Sequence, residues 1–462
     1  MATKIGIKIA YIGGGSTGWA PTLMKDLASS QGLAGEVSLY DIDMKQAKFN
    51  AGFGNWLQEQ HGVQSKFKYS AANRISDALK GADFVVCSIT PAPLETVRFD
   101  LNLPKSFGVL QTVGDTVGPG GLLRAMRAIP MYQGFAQAIK TYCPNAWIIN
   151  YTNPMTVLTR SLTKEVPSLK VFGCCHEVFG TQGMLGTLAA AKVGRKEPIP
   201  REEIKTNVMG VNHFTWIDKA EWKGIDLIKL VKEHINKPGI QKKFTTKEVM
   251  RQLKEKKGEP WAVNNHQVTF SLLKNYGMLP AAGDRHLAEF VPGYLSNEQE
   301  MHRWGIVATT AEFRLSMVKN RRNATKAIMK QKNYIPQHSG EEGVTLIKAI
   351  LGLGDVVSNV NMVNKGQVSN LPIGAVVESN AKFSKNSVKP INAGSLPDGV
   401  AGLVERHARN QEFAVEAIFK RDLNLCFQAF KNDPLMTIPI DKAEELFNKM
   451  VKATKPFLKD YK

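Results

Sequence analysis

The feature that most constrains the fold is a glycine-rich turn that joins a strand to a helix near the amino terminus. Residues 4–12 are apolar and β-branched, and a helix is predicted from about Pro21. Between them, Gly13, Gly15 and Gly18 have the spacing G-x-G-x-x-G. The first glycine permits a tight turn, the second lets the backbone approach a pyrophosphate, and the third permits close packing of helix and strand. The pattern predicts a dinucleotide-binding βαβ unit, although such turns also occur without a ligand.

Further apolar strands follow at helix-length intervals along the first half of the chain. They are predicted at residues 36–41, 83–90, 146–151 and 169–174. Strands that are separated by helices imply βαβ units and therefore a parallel sheet. Ligands of such sheets bind beyond the carboxyl ends of the strands. We therefore predict an α/β protein whose N-terminal half is a doubly wound parallel sheet of the Rossmann type.

The second half of the chain has a different pattern. A basic, proline-containing segment, GRKEPIPREE, predicts a boundary between a nucleotide-binding domain at residues 1–195 and a substrate- and metal-binding domain at residues 196–462. An extended stretch is predicted at residues 208–216, two short ones near residues 359–379, and amphipathic helices from about Gly399. We expect this half to be mixed α/β and mostly helical, as in lactate and malate dehydrogenases.

Composition and charge exclude several classes of protein. The chain has 462 residues, of which 43% are apolar, so it can fold around a large core. No apolar run approaches 18 residues, so we predict no membrane span. The five cysteines are scattered and odd in number, which favours a reducing, cytoplasmic setting over a disulfide framework. The net charge of +19 suits a solvated surface, an acidic substrate or a nucleic acid; because the basic residues are dispersed, we predict no nucleic-acid partner.

A carboxylate at the end of the second strand indicates which dinucleotide binds. Asp41 follows Gly18 by 23 residues, where it can bind the ribose hydroxyls of NAD and repel the 2′-phosphate of NADP. The simplest function of an NAD protein is a dehydrogenase of a sugar or hydroxy acid. The arginine clamp and His–Asp pair of hydroxy-acid dehydrogenases are not found at their usual places. The predicted NAD contacts are Gly13, Gly15, Ser16, Thr17, Gly18, Asp41 and Thr90.

A cysteine and a histidine in separate segments suggest a metal site. Cys174 and Cys175 follow the last predicted strand of the first half, and His213 lies in the segment GVNH. A thiolate and a neutral imidazole can share a divalent cation, and ligand softness alone favours zinc. The alternative is a buried thiol and a hydrogen-bonded imidazole without a metal.

Two further segments carry polar groups that suit a sugar site. The amide of Asn153 can bind a sugar hydroxyl, or it can belong to a turn before a helix that starts at a proline. In GDRH, Asp284 is a candidate general base and Arg285 a candidate clamp for a substrate carboxylate, whereas a loop salt bridge is the structural alternative. The glycine-rich loop GDTVGPGG is either a mobile lid or a long connection.

Together these motifs resemble the family 4 glycosidases, the NAD- and manganese-dependent branch of the glycoside hydrolases. The resemblance covers nearly the whole chain, from KIAYIGGGSTGWAP through LYDID, VGDTVGPGGLLRAMRAIP, NYTNPM, GCCHE and GVNHFTW to NKGQVSNLP. It implies that Cys175 and His213 hold Mn²⁺ and that Asn153 contacts the sugar. It also makes His176 a candidate acid or substrate contact. The base in that family is often a Tyr. No equivalent Tyr is found in the segment LPAAGDRH, so the role of base is assigned to Asp284, which stands nearest to the expected position.

The resemblance also implies a reaction and a substrate class. Glycosides are hydrolysed through oxidation, elimination, addition and reduction with NAD and a divalent metal. The segments QTVGDTVGPGG and AAGDRHLAEF are similar to the branch that contains α-galacturonidases. We therefore expect a uronide substrate, with Asn212, Arg285 and His286 as further contacts. An α-glucosidase, α-galactosidase or α-glucuronidase of the same family, and a plain dehydrogenase, are the alternatives. A homodimer or homotetramer is also implied.

Overall fold

The computed structural model describes residues 4–291 and 293–462. Its N-terminal half contains six parallel strands in the order β3-β2-β1-β4-β5-β6. This order, which starts in the middle and reverses once, is that of a Rossmann sheet and confirms the predicted architecture. The six strands are β1 (Ile5–Ile12), β2 (Leu33–Tyr40), β3 (Lys66–Ala72), β4 (Phe84–Cys87), β5 (Trp147–Asn150) and β6 (Lys170–Gly173).

Strand β3 is the one parallel strand that the sequence pattern did not predict. It lies at the edge of the sheet and pairs only with β2 within the described residues. Its alternate side chains are buried and exposed, as the segment KFKYSAA indicates. An edge strand buries one face, so it lacks the continuous apolar run that marks the central strands.

Seven helices connect these strands and cover the sheet. They are α1 (Trp19–Ser29), α2 (Met44–Gln58), α3 (Ile75–Leu79), α4 (Val97–Ser106), α5 (Gly118–Tyr142), α6 (Met155–Glu165) and α7 (Glu177–Lys192). The first begins two residues before the predicted Pro21, and the glycine-rich loop opens the 25-residue helix α5. Large apolar clusters fill the two faces of the sheet and form the core.

The C-terminal half extends the same sheet with antiparallel strands. Strand β11 pairs with β6 at Asn361 and Gly173, and the order continues as β11-β12-β7-β8-β10. The sheet is therefore continuous from one half of the chain to the other, and the predicted domain boundary at residue 195 lies between α7 and the next strand. The strands of this half are β7 (Lys205–Val211), β8 (Phe214–Trp222), β9 (Ile225–Asp226), β10 (Leu279–Pro280), β11 (Val356–Val363), β12 (Val376–Ser384) and β13 (Ser387–Pro390).

The stretch predicted as extended at residues 208–216 is a hairpin rather than one strand. Strands β7 and β8 pair up to Val211 and Phe214, which leaves Asn212 and His213 as the two turn residues. His213 has a φ of 66°, a left-handed conformation that is uncommon outside glycine but that asparagine and histidine adopt in tight turns. The turn therefore holds both side chains at the end of a buried hairpin.

Ten α-helices lie in the described part of the C-terminal half. Helix α15 packs against α5 and α6 and so joins the last helices to the parallel sheet. Across the described residues, no helix combines the length and hydropathy that a bilayer crossing requires. The ten helices are α8 (Leu227–Ile235), α9 (Thr246–Glu255), α10 (Gln267–Tyr276), α11 (Asp284–Phe290), α12 (Glu298–Arg303), α13 (Ala311–Ile328), α14 (Gly343–Ile350), α15 (Asp398–Lys420), α16 (Leu423–Asn432) and α17 (Ile440–Thr454).

Candidate active site

The glycine-rich turn after β1 is packed so closely that its glycines are required. Gly13 has a φ of 91°, and a Cβ added there would lie 2.0 Å from the Ser88 carbonyl oxygen. A Cβ on Gly15 would lie 2.9 Å from the Asp41 carboxylate. The Gly15 amide instead donates a hydrogen bond of 2.8 Å to Asp41 Oδ2. The turn and the predicted ribose-binding carboxylate are thus in direct contact.

The third glycine of the motif has a neighbour that the sequence pattern does not indicate. A Cβ on Gly18 would lie 2.8 Å from Arg321 Nη1, whereas a Cβ on Gly14 would lie 2.6 Å from Leu39 Cβ of β2. Gly14 is therefore the glycine that packs against β2, and Gly18 provides room for an arginine from α13.

The other predicted cofactor contacts lie along the same edge of the sheet. Ser16 and Thr17 are half-buried in the turn, and Thr90 is exposed two residues past Ser88. Asp41 also accepts a hydrogen bond of 2.8 Å from the amide of Asp43. Burial raises the pKa of Asp41, although these amide donors oppose the effect. The structure therefore gathers the predicted dinucleotide contacts at the carboxyl ends of β1, β2 and β4.

The predicted thiol and imidazole ligands are both buried. Cys175 is 7% exposed and follows β6, while His213 is 4% exposed at the hairpin turn. Burial raises the pKa of the Cys175 thiol, and the Glu378 and Glu177 carboxylates add to the effect. Burial lowers the pKa of His213 to about 3, so its imidazole is neutral at physiological pH. A neutral imidazole is the form that coordinates a metal.

The ring of His213 is oriented by a hydroxyl group. Thr116 Oγ lies 2.8 Å from His213 Nδ1, so Nε2 remains for another partner. The Oδ1 atoms of Asn153 and Asn212 and the Nδ1 atom of His286 are buried without a hydrogen-bond partner. A cation or sugar hydroxyls would satisfy such acceptors. The described residues contain no group of three or more His, Cys, Asp or Glu side chains arranged for a metal. Two protein ligands alone, such as the predicted pair of Cys175 and His213, would leave other positions of a metal to water or substrate, as in catalytic sites.

A chain of contacts links His213 to the segment that follows Cys175. The rings of His213 and His286 have centroids 3.8 Å apart. His286 Nε2 lies 3.6 Å from Glu177 Oε1, and Glu177 Oε2 accepts a hydrogen bond of 2.9 Å from the Gly283 amide. Burial lowers the pKa of His286 to about 3. Glu177 is therefore a site residue that the motif search missed, although it directly follows the predicted His176.

A second missed residue is Asp115, in the glycine-rich loop before α5. Its Oδ1 accepts a hydrogen bond of 2.9 Å from Thr116 Oγ and lies 3.5 Å from Asn153 Nδ2. Arg314 Nη2 lies 3.4 Å from Asp115 Oδ2. Burial alone would raise the pKa of Asp115, but Arg314 and His286 hold it well below its usual range. An acidic residue within a glycine-rich loop that opens a helix was the available signal.

His176 has a carboxylate partner at the rim of the site. Its Nδ1 lies 3.1 Å from Glu341 Oε1, and its side chain is 46% exposed. Burial is the largest single effect and lowers the pKa of His176, but the hydrogen bond to Glu341 and the charges of Glu341, Glu177 and Glu378 together give a net rise. The arrangement suits a protonated imidazole that can donate a proton, as predicted for this residue.

The geometry does not favour Asp284 as a general base. Its Oδ1 accepts hydrogen bonds from the amide and the hydroxyl of Thr269 at 2.9 and 2.7 Å, and its Oδ2 accepts one of 3.2 Å from the Val268 amide. These groups belong to the first turn of α10, so the carboxylate satisfies free amides at a helix N-terminus. Asp284 is 2% exposed and holds α10 in place.

Arg285 is likewise occupied by the protein itself. Its Nε donates to the Val307 carbonyl at 3.0 Å, and its Nη2 donates to the Thr112 carbonyl at 2.6 Å and contacts the Thr309 hydroxyl. These bonds tie the loop before α13 to the loop before α5. The group has few donors left for a substrate carboxylate.

The amides of Asn153 and Asn212 are held by neighbours on other elements. Asn212 Nδ2 donates to Glu378 Oε2 at 3.1 Å, and Asn359 Nδ2 donates to Glu378 Oε1 at 2.7 Å. Burial raises the pKa of Glu378. The side-chain Nδ2 of Asn153 lies 3.5 Å from Asp115 Oδ1, and the backbone carbonyl of Asn153 accepts a hydrogen bond of 2.8 Å from Arg124 Nε. Both predicted sugar contacts thus present an unpartnered amide oxygen.

Two family models match the chain in succession. The family 4 glycosyl hydrolase model matches residues 8–190, and the family 4 glycosyl hydrolase C-terminal domain model matches residues 208–436. The chain belongs to glycosyl hydrolase family 4. The predicted family and the predicted class of enzyme, a glycoside hydrolase, are therefore confirmed.

Individual family 4 proteins are similar over the whole length. An α-galacturonidase of Thermoanaerobacterium saccharolyticum is 47% identical over 99% of this chain and 97% of its own. The crystal structure of lplD from Bacillus subtilis has a TM-score of 0.87 at 44% identity, covering 96% of this chain and all of that one. A 6-phospho-α-glucosidase from gut microorganisms, solved with NAD and Mn²⁺, shares the fold with a TM-score of 0.80 at 19% identity, over 99% of this chain and all of that one.

Proposed function

We propose that this family 4 protein is an NAD- and divalent-metal-dependent α-galacturonidase. The observation that carries the proposal is the 47% identity to an α-galacturonidase over 99% of this chain. Identity at that level over both halves covers the sheet edge, the hairpin turn and α11, which together build the candidate site. The substrate is then a glycoside of a sugar acid.

The charge of the candidate site supports an anionic substrate. The positive charges of Arg124 and Arg314 both lower the pKa of Asp115, so two guanidinium groups lie near one carboxylate. His213 and His286 add no charge near neutral pH because burial lowers the pKa of each to about 3. Arg314 is the one that pairs with Asp115, at 3.4 Å, so the guanidinium group of Arg124 can pair with a uronate carboxylate.

We infer that Arg124 is the group that binds the uronate carboxylate. Its Nε is fixed by the Asn153 carbonyl, and its Nη atoms form no hydrogen bond to any described residue of the chain. Arginine binds carboxylates through two parallel N–H donors. Because Asn153 is the predicted sugar contact, Arg124 lies beside the place where the sugar would bind, whereas Arg285 is held by backbone carbonyls.

The two cofactors have distinct sets of residues. The glycine turn, Asp41 and Thr90 would hold NAD⁺, which supplies a hydride acceptor for a carbon of the sugar. Cys175 and His213 would hold a divalent cation, Mn²⁺ by the family resemblance, which supplies Lewis-acid polarisation of sugar oxygens. Around them, His176 donates a proton toward the leaving oxygen with Glu341 fixing its ring, and Asn153 and Asn212 orient hydroxyls through their free amide oxygens.

We also propose a reducing, cytoplasmic setting and a homodimeric or homotetrameric assembly. All five cysteines are buried free thiols, and a thiolate ligand needs reducing conditions. The assembly is what the family resemblance implies. The boundary at residue 195 remains part of the proposal. Light scattering on the purified protein measures the assembly directly.

A substrate panel tests the proposed activity. The protein would be incubated with nitrophenyl α-galacturonide, α-glucuronide, α-galactoside and α-glucoside in the presence of NAD⁺, Mn²⁺ and a thiol reductant. We expect cleavage of the galacturonide, loss of activity after removal of either cofactor, and no net accumulation of NADH. Cleavage of a neutral glycoside instead would contradict the uronide assignment. Accumulation of NADH in proportion to substrate would indicate a dehydrogenase.

A further inference from the structure

A pocket at the candidate active site has an outer wall to which the proposed reaction assigns no role. It has a volume of about 190 Å³ and extends outward from the segments that carry His176, Glu177 and His286. Its outer wall is formed by Trp261, Asn264 and His266, which precede α10. The pocket therefore connects the reacting centre with solvent on the side where His176 stands.

Trp261 is the largest side chain in the outer wall. It is 47% exposed, which is unusual for an aromatic ring of this size. It packs edge-to-face against Phe313, with ring centroids 5.1 Å apart. Phe313 lies in the first turn of α13 next to Arg314, which contacts Asp115. The indole is thus supported on one side by an element that also carries a residue of the site.

The segment that carries Trp261 is anchored on both sides. Asn265 Nδ2 donates to the Gly305 carbonyl at 2.7 Å, and Val263 is buried in a small apolar cluster with Phe244 and Val249. Asp284 holds the first turn of α10, which begins directly after His266. These contacts fix the backbone, so the exposure of Trp261 is a property of the folded chain and not of a loose loop.

The side chains of the outer wall suit a carbohydrate. A pyranose ring has a face of C–H groups that packs on an aromatic ring, and a rim of hydroxyls that need donors and acceptors. Asn264 and His266 supply such groups beside the indole, with Asn264 Nδ2 and His266 Nε2 3.4 Å apart. We propose that Trp261, Asn264 and His266 bind the leaving group, and that this leaving group is a second pyranose ring. The inference rests on the proposed glycosidase function.

Two substrates that differ only in the leaving group test this subsite. They are methyl α-galacturonide and the α-1,4-linked digalacturonide. Trp261→Ala should lower kcat/KM for the digalacturonide about tenfold more than for the methyl glycoside, mainly through KM, because about 1.4 kcal/mol of ring contact is lost. Trp261→Phe should restore most of the difference. Phe457→Ala, at an exposed aromatic residue near the carboxyl terminus, is the matched control. It should leave kcat/KM unchanged for both substrates. Equal losses on both substrates, or no loss, would overturn the proposal.

A binding measurement separates this proposal from the proposed function. Titration of the protein with free galacturonate should change tryptophan fluorescence in the native chain. The change should become smaller in Trp261→Phe, which retains six of the seven tryptophans, among them Trp19 with its ring centroid 5.6 Å from that of His176. An unchanged response in the variant would overturn the subsite whatever the protein cleaves. Failure of the native chain to cleave any uronide, with the fluorescence response intact, would overturn the proposed function and leave a sugar-binding pocket.

Discussion

The imidazole rings of His213 and His286 lie against each other, with 3.8 Å between their centroids and 36° between their planes. One ring comes from the turn of the β7–β8 hairpin and the other from α11. Burial lowers the pKa of both to about 3, since neither ring can carry a charge there without a high desolvation cost. The pair is therefore neutral at physiological pH, and the groups that orient the two rings determine how they contact a ligand.

The first prediction concerns Thr116, whose hydroxyl lies 2.8 Å from His213 Nδ1. Thr116→Val keeps the shape of the side chain and removes the oxygen that orients the ring. We expect Mn²⁺ affinity to fall by about 10- to 100-fold, the range for loss of a group that orients a metal ligand. Calorimetric titration with Mn²⁺ measures the effect. Thr187→Val on α7, which removes a hydroxyl bonded only to the Gly183 carbonyl, is the control. Equal Mn²⁺ affinity in both variants would contradict the prediction.

The second prediction concerns Arg124. Arg124→Gln retains a donor toward the Asn153 carbonyl but removes the charge and the planar fork. We expect kcat/KM for an α-galacturonide to fall about 100-fold, because the substrate carboxylate loses its charged partner. Arg285→Gln should reduce the stability of the fold more than it reduces uronide binding, because its partners are backbone carbonyls. The opposite ranking of the two variants in substrate binding would return the role to Arg285.

The third prediction separates two roles for Asp284. If Asp284 caps α10, its replacement by Asn removes the charge of a group that accepts three hydrogen bonds. We expect a loss of about 1–2 kcal/mol in the free energy of unfolding, as for other helix caps, and a kcat within about threefold of the native value. A general base would instead show a fall of about 100-fold or more in kcat with little change in stability. Urea unfolding and initial rates on the same preparation give both quantities.

The fourth prediction is a pH dependence of stability that arises from Glu289. Its Oε1 atom accepts hydrogen bonds from the backbone amides of Val113 and Gly114 at 2.7 and 2.8 Å. Burial raises the pKa of Glu289 to about 7. Between about pH 4.3, its unfolded value, and pH 7, the native state binds more protons than the unfolded state. The free energy of unfolding should therefore fall as pH rises through this window, by about 4 kcal/mol at most, and level off above it.

Glu289→Gln is the variant that tests this dependence. The glutamine oxygen can still accept both amides, and its amide group has no charge at any pH in the window. The difference between native and variant stability should change between pH 5 and pH 8, with the variant gaining on the native chain as pH rises. A constant difference across that range in thermal unfolding would rule out Glu289 as the source.

The fifth prediction concerns cofactor choice. Asp41→Ala removes the carboxylate that is 2.8 Å from the Gly15 amide and that would repel a 2′-phosphate. We expect weaker binding of NAD⁺, seen as a larger Kd. The preference for NAD⁺, measured as the Kd for NADP⁺ divided by the Kd for NAD⁺, should fall by about tenfold. Asp43→Ala, at the neighbouring exposed residue, should leave the ratio unchanged. Identical NAD⁺ to NADP⁺ ratios in the native chain and Asp41→Ala would contradict the assignment of Asp41.

Much of the N-terminal half could be predicted because its signals are local. Five of its six strands are short apolar runs, and the glycine turn specifies its own geometry within six residues. The carboxyl ends of parallel strands meet at one edge. That rule alone placed the glycine turn, Thr90, Asn153 and Cys175 along one side of the sheet. Strand β3 escaped because an edge strand alternates apolar and polar residues instead of forming a run.

Long-range contacts decided what each predicted residue can do. Asp284 and Arg285 are adjacent in a promising motif, but one caps α10 and the other bridges to Thr112, 173 residues away. Glu177 and Asp115 were recognised as site residues only through their contacts with other elements. Contacts between distant residues also led us to propose Arg124 instead of Arg285 as the group that binds the uronate. The chain itself determined a Rossmann sheet and the glycine turn after its first strand, since these depend on spacing over a few residues. Only the packed structure decided which carboxylates and guanidinium groups remain free, because that depends on which distant backbone groups they must satisfy.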